Sequence, residues 1–196
     1  MLTSTPRKSS ERVDAMKQLI SEREVSDGVR RMASEINDFY AGEPLTIVGV
    51  LTGSVVLLAD LIRQMTMPLR VGVVQASSYR GATTRGPLVI NSDLMPDIAR
   101  QNVLIVDDIF DTGHTMVELI ELMNKLSPTS IRTAVLLQKT GQQQVDLRPD
   151  FVGFDIPNEF VVGYGLDYQD LYRNLPYVAT LEPAEIDAVA QSIKDV

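Results

Sequence analysis

The residues with the clearest chemistry are three aspartates and the small residues that follow them. Asp107, Asp108 and Asp111 come directly after an apolar run, and Thr112–Thr115 follows with two threonines and a glycine. Carboxylates this close repel one another, so their natural partners are sugar hydroxyls or a hard cation. Backbone N–H groups and hydroxyls at the start of a helix bind phosphate, and the glycine lets the backbone come close. Together these residues predict a site for ribose that carries a 5′-phosphate.

The same residues could instead begin a helix without binding a ligand, or belong to one of the two common phosphate-binding motifs. Aspartates before a helix also complement the helix dipole without binding anything. The sequence contains no G-x-x-x-x-G-K-[ST] loop and no strand-borne G-x-G-x-x-G motif. An NTPase or a dinucleotide enzyme is therefore poorly supported.

Composition limits the classes of partner. The chain has 196 residues, 44% of them hydrophobic, and a net charge of −8, which opposes a broad electrostatic contact with nucleic acid or an anionic membrane. It has no cysteine and one histidine, so we expect no disulfide, no thiol chemistry and no His-rich zinc site. The first ten residues lack the apolar region of a signal peptide, and no apolar stretch is long enough to span a bilayer. We expect a soluble, cytoplasmic protein with no nucleic-acid and no membrane partner.

Apolar patterns predict strands that alternate with helices. The main predicted strands are Leu45–Leu51, Val71–Ala76, Asn102–Val106 and Ile131–Leu137. Shorter strands are predicted at Leu88–Asn91, Phe151–Phe154, Phe160–Val162 and Tyr177–Leu181. Helices are predicted from a capping box at Ser21–Glu24 to Gly42, and over Val55–Met65, Met116–Leu126 and Ile186–Ile193. Because the strands are continuous apolar runs, the pattern indicates an α/β fold with a parallel sheet, whose ligands bind at the carboxyl ends of the strands.

Several motifs resemble one enzyme family. Val103–Met116 resembles the phosphoribosyl pyrophosphate (PRPP) signature of type I phosphoribosyltransferases. Further segments resemble the pyrophosphate loop, the mobile loop and the purine-binding half of the hypoxanthine-guanine branch: Leu51–Ser54 with Ala59–Leu61, Ser77–Tyr79, Lys139, Asp150–Pro157, Phe160–Tyr168 and Tyr172–Pro176. The resemblance covers roughly residues 20 to 183.

The resemblance implies a type I phosphoribosyltransferase fold. This is a mostly parallel central sheet flanked by helices, with a small hood subdomain for the base. It divides the chain into an N-terminal extension over 1–20, the transferase domain over 21–183 and a C-terminal helix over 184–196. The hood would come from the N-terminal part of the domain and from about 150–183.

The implied reaction is purine salvage, in which the 5-phosphoribosyl group of PRPP is transferred to N9 of hypoxanthine or guanine. The products are inosine or guanosine monophosphate and pyrophosphate. By this resemblance Asp107 and Asp108 hold the ribose hydroxyls, and Asp111 faces the purine N7 as the catalytic acid/base. The 5′-phosphate would be bound by the four residues of the loop, Thr112, Gly113, His114 and Thr115. In His114 the backbone N–H matters more than the imidazole.

The same resemblance assigns the remaining parts of the site. The purine would be bound by Lys139, Phe160, Val161 and Asp167, with Lys139 on the 6-oxo group and Phe160 stacked on the ring. Pyrophosphate would be bound by Thr52, Gly53 and Arg173, with Leu51–Thr52 a candidate for a cis peptide bond. Mg²⁺ is the implied cofactor, with Asp167, Asp107 and Asp108 as its ligands. Ser78 and Tyr79 would be the lid contacts in the loop 78–87.

Some alternatives stay open at this point. Lys139 could be a solvated lysine after a strand, Phe160 a core aromatic, and the loop 78–87 a hairpin tip. Many relatives have lysine where this chain has Thr52, so pyrophosphate binding is weaker here or compensated elsewhere. The other functions considered are a xanthine- or hypoxanthine-preferring transferase and a regulatory nucleotide-binding protein on the same fold. The resemblance also suggests a homodimer or a homotetramer.

Overall fold

A mostly parallel sheet forms the centre of the molecule, as the computed structural model shows for the described residues 16–78, 88–91 and 93–182. Its strands are β2 (Leu45–Leu51), β3 (Leu69–Ser78), β4 (Leu88–Asn91), β5 (Asn102–Phe110), β6 (Ser130–Lys139) and β7 (Phe151–Ile156). They are arranged in the order β4-β3-β2-β5-β6-β7, and all neighbours are parallel except β3 and β4. The predicted α/β class is confirmed.

A second, three-stranded sheet combines the two ends of the described chain. Its strands are β1 (Lys17–Ile20), β8 (Val161–Val162) and β9 (Val178–Thr180), in the antiparallel order β1-β9-β8. The short segment before the first helix gave no strand pattern, so β1 was not predicted. Its pairing with β9 ties residues near position 20 to the segment that carries the predicted base site. The division into extension, transferase domain and C-terminal helix stays a prediction.

Three helices flank the central sheet in the described part of the chain: α1 (Glu22–Tyr40), α2 (Val55–Ile62) and α3 (His114–Asn124). The predicted capping box at the start of α1 is confirmed, because Ser21 Oγ accepts from Glu24 N–H and the Glu24 carboxylate accepts from Ser21 N–H. The buried face of α1 includes Gly28, where an added Cβ would lie 2.3 Å from Phe154 Cζ. A larger residue at this position would require the Phe154 ring on β7 to shift.

The hydrophobic core lies on both faces of the central sheet. One cluster joins α1 and α2 to the sheet and includes Met32, Ile36 and Leu57. The other joins α3 to the opposite face and includes Ile105 and Leu119. Because both faces are covered, β2 is buried over all but its last residue, as its continuous apolar run predicted.

Most predicted elements are present, with shifted ends. The helix after β2 ends at Ile62 instead of Met65, and there the Asn37 side chain bonds Gln64 O and Thr66 N. The predicted C-terminal helix Ile186–Ile193 and most of the predicted lid lie outside the described residues. No helix among the described residues is long and apolar enough to cross a membrane.

Candidate active site

A cavity of about 590 Å³ lies at the carboxyl ends of the central strands. Most of the predicted site residues line it: Thr52, Gly53, Asp107, Asp108, Asp111, Thr112, Gly113, Thr115, Asp167 and Arg173. Gln75 and Ala76 of β3 line it as well. Binding at this edge is typical of parallel sheets, because the loops that follow neighbouring strands meet there.

The acidic pair lies within β5 and not after it. The strand was predicted to end at Val106, but its pairing with β6 continues from Asp107↔Val135 to Phe110↔Gln138. The prediction was wrong here because hydropathy changes at the carboxylates while the backbone hydrogen bonds continue. Asp107 is only 9% exposed. The backbone N–H of Asp108 donates to Asp107 Oδ1 at 2.9 Å, so the two aspartates are held in the rigid part of the sheet.

Burial makes this pair costly to ionise. Desolvation raises the pKa of the Asp107 carboxyl well above its usual range, and the charge of Asp108 raises it further. Desolvation also raises the pKa of Asp108. The pair therefore keeps a proton at higher pH than exposed aspartates do. Hydroxyl donors or a cation would favour the ionised form.

The pyrophosphate loop packs directly against the acidic pair. The Leu51–Thr52 peptide bond is cis, as the resemblance implied. A Cβ at Gly53 would lie 1.7 Å from Asp108 Oδ2, and a Cβ at Gly165 would lie 2.1 Å from the Gly53 carbonyl oxygen. These glycines let three segments meet at one point. As a result, the loop after β2, the end of β5 and the segment after β8 form one wall of the cavity.

The predicted phosphate loop turns at Gly113 and starts α3. Gly113 has a φ of 87°, and α3 begins at His114. The loop is supported from outside the motif, because the backbone N–H of Gln144 donates to Thr112 O at 3.0 Å. Gln144 Oε1 also lies 3.1 Å from His114 Nε2. Unlike its three neighbours in the loop, His114 does not line the cavity in the described structure.

Asp111 and Lys139 form an ion pair. Lys139 is the last residue of β6, and its Nζ donates to Asp111 Oδ2 at 3.1 Å. The Lys139 side chain is 12% exposed, whereas that of Asp111 is 45% exposed. A solvated lysine is therefore the wrong interpretation. Lys139 is not among the described residues that line the cavity, but it contacts Asp111, which does line it.

Phe160 and Val161, two further predicted base contacts, are not among the described residues that line the cavity. Phe160 is 43% exposed, so it is not a core aromatic. Its ring meets the edge of the Tyr168 ring, with the centroids 5.5 Å apart. Val161 is buried and pairs with Thr180 in the small sheet. Ser78 ends β3 opposite Leu88, and Tyr79 lies outside the described residues.

Arg173 is held by three acceptors at the cavity wall. Its Nη1 donates to Gly165 O at 2.8 Å. Its Nη2 contacts Asp167 Oδ1 at 2.8 Å and Asp170 Oδ1 at 3.1 Å. The backbone N–H of Asp170 donates to the other oxygen of Asp167 at 2.8 Å. Arg173, which was predicted to bind pyrophosphate, is thus paired with Asp167, which was predicted to bind Mg²⁺.

Known proteins resemble this chain along most of its length. The family model of the phosphoribosyl transferase domain matches residues 16–169. A hypoxanthine-guanine phosphoribosyltransferase of Staphylococcus epidermidis is 41% identical over 165 residues, which are 84% of this chain and 92% of that protein. The chain belongs to the hypoxanthine-guanine phosphoribosyltransferase family.

Solved structures of this family share the fold. A hypoxanthine phosphoribosyltransferase of Staphylococcus aureus superposes with a TM-score of 0.84 at 37% identity, covering 91% of this chain and 98% of that one. A ternary substrates complex of a Trypanosoma cruzi hypoxanthine phosphoribosyltransferase variant superposes with a TM-score of 0.80 at 37% identity. The match covers 86% of this chain and 96% of that one. The chain is therefore an enzyme with the type I phosphoribosyltransferase fold, as the sequence predicted.

Several residues of the phosphoribosyltransferase site were not predicted. Asp170 binds Arg173, Gln144 supports the phosphate loop, and Gly165 contacts the pyrophosphate loop. Tyr164 Oη also donates to Asp60 Oδ2 at 2.6 Å, which links the segment after β8 to α2. The three-residue spacing from Asp167 to Asp170 and from Asp170 to Arg173 was visible in the sequence. The other contacts join distant segments and leave no local pattern.

The raised pKa of Asp107 predicts that its charge costs stability. Since the folded protein binds this proton more tightly than the unfolded chain does, stability falls as the pH rises through the raised pKa. Asp107→Asn removes the charge and keeps an oxygen for the Asp108 N–H. We expect its melting temperature to exceed that of the wild type at alkaline pH by a few degrees, since about 1 kcal/mol shifts a domain of this size by roughly 2–4 °C. This difference in melting temperature should shrink at acidic pH, where the wild-type carboxyl is protonated as well.

The exposed residue Asp93 gives the control, because Asp93→Asn removes an equal charge that is not buried. Thermal unfolding of the three proteins across a pH series measures the effect. An Asp107→Asn variant that is less stable than the wild type at alkaline pH, or an equal gain in the control, would contradict the interpretation.

Proposed function

We propose that this enzyme transfers the 5-phosphoribosyl group of PRPP to N9 of hypoxanthine or guanine and releases pyrophosphate. One observation carries the proposal: a single cavity brings together the acidic pair, the phosphate loop, the pyrophosphate loop with Arg173, and Asp111 with its partner Lys139. Each part matches one portion of the two substrates.

The ribose and its phosphate fit the centre of this cavity. The carboxylates of Asp107 and Asp108 accept hydrogen bonds from the 2′- and 3′-hydroxyls, which relieves the cost of their burial. The 5′-phosphate binds the backbone N–H groups and hydroxyls of Thr112–Thr115 at the N-terminus of α3. Both contacts fix C1′, where positive charge develops as the bond to pyrophosphate breaks, and the acidic pair stabilises that charge.

The purine fits beside Asp111. Lys139 Nζ donates to the 6-oxo oxygen, a position where adenine carries an amino donor instead. The exposed ring of Phe160 stacks on the base, and the backbone of Val161 hydrogen-bonds its edge. As N9 bonds to C1′, the proton at N7 moves to the Asp111 carboxylate. The ion pair with Lys139 holds that carboxylate in place before the base arrives.

Pyrophosphate requires a cation in this cavity. Arg173 is the only cation among the described lining residues, and five aspartates line the same cavity: Asp107, Asp108, Asp111, Asp167 and Asp170. These hard oxygen donors fit Mg²⁺, which commonly binds one or two carboxylates and takes its other ligands from substrate phosphates and water. We assign Asp167, Asp107 and Asp108 to hold it. When bound, the ion neutralises charge on the leaving pyrophosphate.

Two further parts of the proposal rest on the family resemblance. Ser78 and Tyr79 are assigned to a lid that covers PRPP, and closure would keep water from the reacting C1′. The enzyme is assigned to work as a homodimer or a homotetramer. Sedimentation velocity tests the second assignment, and a monomer at all concentrations would contradict it.

A panel of bases tests the reaction directly. We expect the protein with PRPP and Mg²⁺ to make nucleotide from hypoxanthine or guanine and none from adenine. Chromatography of the products with hypoxanthine, guanine, xanthine and adenine measures this. A preference for xanthine, or for hypoxanthine alone, would favour the alternative of a xanthine- or hypoxanthine-preferring transferase. No nucleotide from any 6-oxopurine would refute the proposal.

Two variants separate the roles of the ion pair. Asp111→Asn should lower kcat by about 10²- to 10⁴-fold, the usual contribution of general acid–base catalysis. Lys139→Met should raise KM for hypoxanthine roughly ten- to a hundredfold, because a hydrogen bond from a charged group is lost. Lys125→Met changes an exposed lysine after α3 and serves as the control. Wild-type kinetics in both site variants would remove the assigned roles.

A further inference from the structure

Asp170 contacts the pyrophosphate residue Arg173, yet neither the family resemblance nor the proposed reaction gives it a role. Its Oδ1 lies 3.1 Å from Arg173 Nη2, and its side chain is 91% exposed. It also lines the cavity. Its φ of 62° is in the left-handed region, which Asp and Asn adopt more readily than most residues.

Arg173 has enough support without Asp170. The Gly165 carbonyl fixes Nη1 at 2.8 Å. The Asp167 carboxylate, whose side chain is only 18% exposed, contacts Nη2 at 2.8 Å. A well-solvated carboxylate adds little to this anchoring, because exposed ion pairs are weak. The position of Arg173 therefore does not explain the Asp170 contact.

Asp170 competes for the part of Arg173 that a phosphate group would use. If Mg²⁺ were held by Asp167, Nη2 would be left with Asp170 and pyrophosphate as rival acceptors. Among the described lining residues no second cationic side chain dilutes this competition, and Thr52 of the pyrophosphate loop carries no charge. One extra carboxylate at Arg173 then has a direct effect on how strongly pyrophosphate is held.

We propose that Asp170 is a counter-ion that limits the affinity of Arg173 for pyrophosphate and takes Arg173 back when pyrophosphate leaves. It is a positioning residue that sets KM for PRPP and the ease of product release. The proposal rests on the proposed function, because that function places pyrophosphate at Arg173.

Calorimetric titration with pyrophosphate in the presence of Mg²⁺ tests this without requiring turnover. Asp170→Asn keeps the backbone conformation and its N–H bond to Asp167 but removes the charge. We expect Kd for pyrophosphate and KM for PRPP to fall about two- to fivefold, the size of an exposed ion pair. KM for hypoxanthine should not change, because the base binds elsewhere in the site.

Two controls identify the charge as the cause. Asp170→Glu keeps the carboxylate and should bind pyrophosphate as the wild type does. Asp27→Asn breaks a comparable exposed pair three residues apart, Arg30–Asp27 on α1, and should change nothing. An unchanged or higher Kd in Asp170→Asn, or equal tightening in Asp170→Glu, would overturn the proposal. Failure of the proposed function would appear separately, as a wild type that makes no nucleotide in the panel of bases.

Discussion

Two adjacent carboxylates are buried at the carboxyl end of a central strand, and the rest of the site is arranged around them. The backbone of Asp107 and Asp108 is held in the sheet, because β5 pairs with β2 up to Val106 and with β6 up to Phe110. Burying a carboxylate without a partner costs free energy, and the cost appears as the raised pKa of each group. A protein keeps such a pair where a ligand relieves the cost. In our account that ligand is the ribose of PRPP.

The charged residues around this pair are paired with one another. Lys139 is paired with Asp111, and Arg173 is paired with Asp167 and Asp170. Each of these residues except Asp170 also has a proposed substrate or metal partner, so binding exchanges one set of partners for another. Such an exchange holds each side chain near its working position at a small net cost in free energy. It also explains why an exposed residue such as Asp170 can influence affinity without contacting the reacting atoms.

Local pattern predicted much of the fold and of the site. Apolar runs located β2 and β6, and the capping box located α1. The order of residue types from Asp107 to Thr115 was by itself enough to indicate ribose and phosphate. The resemblance then added Asp167 and Arg173, which line the cavity, and Lys139, which contacts the lining residue Asp111. Side chains were predictable where their function depends on the residues next to them in the chain.

Most of the unpredicted features depend on contacts between distant segments. The sequence of β1 has no strand pattern of its own and is a strand because β9 pairs with it. The close approach of Gly165 to Gly53 requires two loops that lie far apart in the sequence. The end of β5 was placed too early because hydropathy reports burial, while strand length follows the backbone pairing with β6. The same pairing puts the acidic pair in the sheet and gives it a raised pKa.

The central claim is that burial raises the pKa of the acidic pair and that ribose binding lowers it again. NMR of the protein with ¹³C-labelled aspartate carboxyls measures this directly in a pH titration with and without ribose 5-phosphate. The account predicts that the carboxyls of Asp107 and Asp108 titrate above the range of exposed aspartates in the free protein and shift toward lower pH when the sugar phosphate binds. Titration of both carboxyls in the ordinary range, or a profile that ribose 5-phosphate leaves unchanged, would contradict it.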